Sequence, residues 1–166
     1  MTNPELSAVE VIGLGIRSEE NSARYYESIA RIIKNDLVSA RFQSLALEEK
    51  GHRNMLVSLY KKMTGLDEPP PSIPGDPDTA EGKATPVAPS PDSLEECLLV
   101  AISREKEASE FYSKAAAKSS DPSGKRILEY LADIENTHEM ILKKELGALH
   151  RDLHWYSVNP GFHVGP

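Results

Sequence analysis

"EEKGHRN", residues 48–54, lies in a stretch whose apolar residues recur at helical spacing. Val38, Phe42, Leu45, Leu56 and Leu59 form one stripe, and Glu49 and His52 fill the gap in it. A helix that turns a carboxylate and an imidazole toward its own apolar face must supply partners there, because an unpaired buried charge is costly.

The same interruption occurs a second time. Leu128, Leu131, Glu135, His138 and Leu142 share a stripe near the other end of the chain. Two further stripes precede these. One runs Ile12, Ile16, Glu19, Ala23, Tyr26, Ala30, Ile33, and the other Leu98, Ile102, Glu105, Ser109, Tyr112, Ala116. Residues 7–60 laid on 93–146, a shift of 86, give 11 identities in 54 positions. Average residue usage would give roughly three. The shared positions include Ser7/Ser93, Glu10/Glu96, Glu19/Glu105, Tyr26/Tyr112, Glu49/Glu135 and His52/His138. Every polar residue that interrupts a stripe to form a Glu or a Glu-x-x-His has its twin, so the chain reads as a duplicated helical hairpin.

Helix ends follow from local chemistry. Ser7 with Glu10, and Ser93 with Glu96, form S-x-x-E capping boxes. Asn35 or Asp36 can cap the second helix, which should stop before Thr64-Gly65. "SSDPSG" (119–124) breaks the second hairpin, with Asp121 as cap and Pro122 in the first helical position. The helix pairs are expected over about 6–63 and 93–149. Between them, 64–92 is aperiodic, and 67–92 alone holds eight of the twelve prolines. A helix of some 27 residues is about 40 Å long at ~1.5 Å per residue, so a linker of this length can cross back along a bundle. The expected architecture is all-α: residues 1–150 form a four-helix bundle with a long crossover between helices two and three. Residues 151–166 then read as an irregular, aromatic-rich C-terminal tail.

Composition bounds the function. The 166 residues carry 26 acidic and 19 basic side chains, a net charge of −7. Without a basic cluster this argues against nucleic acid as a partner. No apolar run is long enough to span a membrane and the N-terminus lacks a signal-peptide pattern, so the expected compartment is the cytoplasm. Cys97 is the single cysteine, which removes disulfide frameworks and thiolate metal sites from consideration.

A bundle made from these hairpins gathers Glu19, Glu49, His52, Glu105, Glu135 and His138. Four ionised carboxylates repel one another when buried, and either protons or cations must offset them. Two divalent ions balance four carboxylates and two neutral imidazoles. Glu and His three apart share a helix face, so each Glu-x-x-His can grip one ion. Carboxylate with imidazole suits Fe, Mn or Zn better than Mg or Ca.

A Glu from each of two helices plus Glu-x-x-His from the other two is the pattern of di-iron and di-manganese carboxylate bundles. "GIRSEENSARYY" (15–26), "LALEEKGHRNM" (45–55), "AISREKEASEFY" (101–112) and "LADIENTHEMI" (131–141) resemble the rubrerythrin branch of the ferritin-like superfamily. The resemblance implies two Fe ions (with Mn or Zn as alternatives), bridged by Glu49 and Glu135 and capped by Glu19 and Glu105. It implies an oxidoreductase of peroxidase or ferroxidase type, acting on dioxygen, hydrogen peroxide or Fe(II), with a role in oxidative stress. A non-enzymatic iron-binding or storage module, or an interaction protein with a structural metal, is the other reading. Rubrerythrins that carry a rubredoxin-like module hold its iron with four cysteines. One cysteine cannot do so, and the electron donor is expected to be a separate molecule. The family also has an extra carboxylate one turn after the third-helix Glu, where this chain has Ala108.

Tyr26 and Tyr112, one heptad after Glu19 and Glu105, are expected to fill core space and donate hydroxyls to the site's carboxylates, with a redox role as the other reading. His150, Asp152, His154 and His163 read as a helix end and tail packing, or as a second surface metal site. Trp155 and Tyr156 suggest that the tail docks on something apolar, such as the second subunit of a homodimer. Gly13 and Gly15 do not make a dinucleotide loop, since no strand precedes them and the third glycine is missing. Small residues there suit close helix packing.

Overall fold

The computed structural model describes residues 7–71 and 94–158. Four helices account for almost all of them: α1 (Ala8–Ile32), α2 (Asp36–Thr64), α3 (Leu94–Lys118) and α4 (Pro122–Val158). No strand occurs among the described residues.

The helix ends are set by the expected chemistry. The Ser7 hydroxyl accepts from the Glu10 N–H at 3.3 Å, and the Glu10 carboxylate accepts from the Ser7 N–H at 2.7 Å, a complete capping box. Asn35 caps α2 by accepting from the N–H groups of Leu37 and Val38 at 3.0 and 3.1 Å. Gly65 ends α2 with φ 76°, a left-handed conformation that other residues adopt at a cost. The Asp121 carboxylate accepts from the Gly124 N–H at 2.7 Å, with Pro122 opening α4. Asn35 and Asp121 are 86 residues apart, so the repeat extends to the caps of the second helices. The box expected at Ser93 lies outside the described residues.

One boundary differs from expectation. The sequence reading stops helix four near Leu149, whereas α4 runs on to Val158. "HRDLHWYSV" contains no glycine or proline, and Gly147 is accommodated inside the helix. The first strong stop is Asn159-Pro160, because a residue before proline disfavours helical backbone.

Each helix packs mainly on its hairpin partner, and the hairpins meet through α1 against α3 and α2 against α4. The cross-hairpin contacts run in opposite sense. Tyr26 meets Glu105 while Glu19 meets Tyr112, and Glu49 meets His138 while His52 meets Glu135. Both pairs are therefore antiparallel, which leaves α2 parallel to α3. The chain must return the length of the bundle between them, and this is the physical reason for a long crossover. Its first residues already turn back. Arg53 holds Glu68 at 2.9 Å, and Arg17 donates to the Pro70 carbonyl.

Two apolar clusters fill the bundle. One contains Tyr25, Tyr26, Ile29, Phe42, Leu98 and Leu142, and the other Ile12, Ile16, Leu56, Tyr112, Leu128 and Leu131. On every helix the acidic and imidazole residues fall between the two. The polar layer is thus sandwiched at mid-bundle, away from water at either end. No helix is long and apolar enough to cross a membrane among the described residues.

Candidate metal centre

All six residues singled out in the sequence come together in that layer. Glu19 comes from α1, Glu49 and His52 from α2, Glu105 from α3, and Glu135 and His138 from α4. None is more than 5% exposed. They form two overlapping groups: Glu19, Glu49, His52, Glu135, and Glu49, Glu105, Glu135, His138. In each group the potential ligand atoms lie within 4.8 Å of one another. Glu49 and Glu135 belong to both. The imidazoles stack with centroids 5.7 Å apart and planes 20° from parallel.

The histidines face the layer through the same atom. His52 Nδ1 lies 3.0, 3.2 and 3.5 Å from oxygens of Glu135, Glu49 and Glu19. His138 Nδ1 lies 3.3, 3.4 and 3.5 Å from oxygens of Glu135, Glu49 and Glu105. Close approach is not the same as hydrogen bonding. Glu49 Oε1, Glu135 Oε1 and His138 Nδ1 are fully buried without a hydrogen-bond partner. Buried polar atoms are rarely left so. Grouped within reach of one another and left without hydrogen bonds, these atoms fit a role as donors to a cation. Four carboxylates and two imidazoles, with two carboxylates common to both groups, fit two ions.

Electrostatics explains how the layer is held without ions. Burial, with neighbouring carboxylates, pushes the Glu19 and Glu105 carboxyls well above their ordinary range. Burial also opposes the charge on Glu49 and Glu135, but the adjoining imidazoles and the Glu19 and Glu105 carboxyls outweigh it and keep both below that range. Burial disfavours the imidazolium of His52, yet Glu135, Glu19 and Glu49 overcome it and push its pKa up to about 12. Glu105, Glu135 and Glu49 raise His138 in the same way. Burial thus favours protons on Glu19 and Glu105, and the surrounding carboxylates favour protons on both imidazoles, so bound protons offset part of the layer's negative charge.

Tyrosines clamp the layer crosswise. Tyr26 of the first hairpin donates to Glu105 of the second, and Tyr112 of the second donates to Glu19 of the first. Burial, with the facing carboxylates, keeps both phenols protonated and hence able to donate. The spacing in the sequence predicts a tyrosine hydroxyl on a site carboxylate; the exchange between hairpins is visible only in three dimensions. Gly15 explains how Tyr112 fits. A Cβ there would lie 3.3 Å from the Tyr112 ring and hydroxyl and 3.1 Å from Leu56 Cδ1.

Other candidates fall elsewhere. Ala108 packs against an apolar cluster, so no carboxylate enters the layer from that turn. Cys97 is buried and burial raises its thiol pKa, which suits an inert side chain. His150 pairs with Glu95 at 2.8 Å on the surface. The side chains of Asp152, His154, Trp155 and Tyr156, and residue His163, lie outside what the structure describes. Glu48 is a contact the sequence reading passes over, because it looks like a solvated helix residue. Its Oε2 meets His138 Nε2 at 3.1 Å.

A four-helix bundle with a buried carboxylate–imidazole layer shared between two ligand groups defines a protein compatible with a two-metal centre. The family model for rubrerythrin matches residues 10–146, and the chain belongs to that family. Among solved structures it is similar to a hypothetical protein from Pyrococcus furiosus, with 29% identity and a TM-score of 0.72. That similarity covers 90% of this chain and 92% of the other. No curated protein matches.

Proposed function

We propose that this protein is a di-iron oxidoreductase of peroxidase or ferroxidase type. Glu19, Glu49, His52, Glu105, Glu135 and His138 would hold the metals. The observation that carries the reading is the sharing of Glu49 and Glu135 by both groups, each with one oxygen left orphaned. Glu49 and Glu135 would contribute to both positions, Glu19 and His52 would complete one, and Glu105 and His138 would complete the other. The mixed oxygen and nitrogen donors suit Fe, and the same donors accept Mn or Zn.

Fe(II) ions held there would supply one electron each to dioxygen or peroxide. The chain's own part is physical. The apolar clusters above and below keep bulk water out of the layer. Tyr26 and Tyr112 hold Glu105 and Glu19 in place while leaving each of these carboxylates a second oxygen. Metal ligation needs these carboxylates and imidazoles deprotonated, so loading couples to pH. The single cysteine leaves no thiolate site for a further iron in these residues, and the electron donor would be a separate molecule.

The test is anaerobic titration of metal-stripped protein with Fe(II), followed by air and then by peroxide, read by near-ultraviolet absorbance. Saturation at two ions per chain, with new absorbance on oxidation, is the expected result. The faster oxidant identifies the substrate. Absence of saturable binding would overturn the proposal. Binding with no response to either oxidant would reduce the site to a structural one.

A further inference from the structure

The two halves of the layer match in the six residues and differ just outside them. An imidazole that binds metal through Nδ1 must carry its proton on Nε2, and the partner of that N–H sets the ring's tautomer, rotation and basicity. His138 Nε2 meets Glu48 Oε2 at 3.1 Å. Glu48 is itself steadied from the other side, since the Ser44 hydroxyl donates to its Oε1 at 3.1 Å. Ser44 and Glu48 lie one turn apart on α2, so a short chain of bonds runs from that helix to an imidazole on α4. The other half lacks this support. Among the described residues, no carboxylate meets His52 Nε2. The positions 86 residues after Ser44 and Glu48 are Tyr130 and Ile134, neither of which can supply an anion.

We infer that Glu48 is a positioning residue that makes the two metal positions unequal, the one completed by Glu105 and His138 being the tighter. The inference rests on the two-metal reading above. An anionic acceptor on Nε2–H raises the electron density at Nδ1 and prevents the ring from turning away. His52 has no carboxylate of this kind on its Nε2 among the described residues. Metals should therefore load in order, first at the His138 side and then at the His52 side.

The test is equilibrium titration of the metal-stripped full-length chain with Co(II) against a competing chelator, read by visible absorbance. Native protein should bind two ions in resolved steps. Glu48→Ala should weaken the first step by about 10–100-fold and leave the second unmoved, so that the steps merge. Glu48→Gln keeps an acceptor without the charge and should fall between. Ile134→Glu in the native background should tighten the second step by giving His52 the missing partner. Circular dichroism melting of each variant separates this from a general loss of fold. Superimposable curves for native protein and Glu48→Ala would overturn the inference while leaving the two-metal reading intact. No saturable Co(II) binding by the native chain would remove both.

Discussion

The first hairpin and the second are copies that differ at most positions but keep every residue of the polar layer and its two tyrosines. Glu19/Glu105, Tyr26/Tyr112, Glu49/Glu135 and His52/His138 are identical pairs, and all eight side chains are buried. Away from the layer many pairs differ. Gly15 corresponds to Ala101, Glu48 corresponds to Ile134, and α2 ends on a left-handed Gly65 whereas α4 continues to Val158. Apolar packing tolerates such drift because many side chains of similar volume fill a core. A buried polar layer does not, because removing one member leaves its neighbours with unpaired buried charge. The halves are also interlocked. Each tyrosine serves the other hairpin's glutamate, so neither hairpin completes a ligand group alone.

The largest expected effect comes from the shared carboxylates. Glu49→Ala with Glu135→Ala should abolish tight metal binding at both positions, read as metal content after gel filtration. Either single substitution should weaken both positions, whereas Glu19→Ala should affect one. A one-sided loss from Glu49→Ala would break the symmetry between the hairpins.

A smaller effect concerns pH. Without metal, His52 rises from 6.5 in the unfolded chain to about 12 in the folded one, and His138 moves the same way. Between those values the folded state holds more protons than the unfolded state, so stability is fullest below pH 6.5 and is lost as pH rises. Glu19 and Glu105, raised by burial, add to this trend. The slope is at most about 1.4 kcal/mol per pH unit for each imidazole. Denaturant unfolding of stripped protein at pH 6.5 and 8.5 should show the fall. Metal-loaded protein should show the opposite sign, since deprotonated ligands favour loading.

The smallest effect sharpens the comparison. Tyr26→Phe and Tyr112→Phe should each cost about 1 kcal/mol in the stripped protein, the net value of a typical hydrogen bond. The two costs should be alike, because both phenols are fully buried and each faces one carboxylate. Unequal unfolding midpoints would show that the crosswise clamps differ.

Much of this was legible in the sequence, for identifiable reasons. Helices and caps are local, so Ser7, Asn35, Gly65 and Asp121 could be read directly. The six residues of the layer stood out because each interrupts an apolar stripe and each has a twin. The end of α4 was not legible, because an aromatic-rich segment without periodicity looks irregular even where nothing stops the helix before Pro160. The crosswise tyrosines and the Glu48–His138 contact depend on how two distant segments are placed. No spacing within one helix reports on that. Glu48 left one faint signal, an acid with no twin beside an acid that has one.

The central claim is that protons and metals exchange in one buried layer. Calorimetric titration of stripped protein with Zn(II), in two buffers of different ionisation enthalpy, counts both at once. The account predicts two ions bound per chain near neutral pH with a net release of protons, because burial and neighbouring carboxylates favour protons on ligand side chains that a metal must displace. Binding of a single ion, or of two ions with no net proton release, would contradict it.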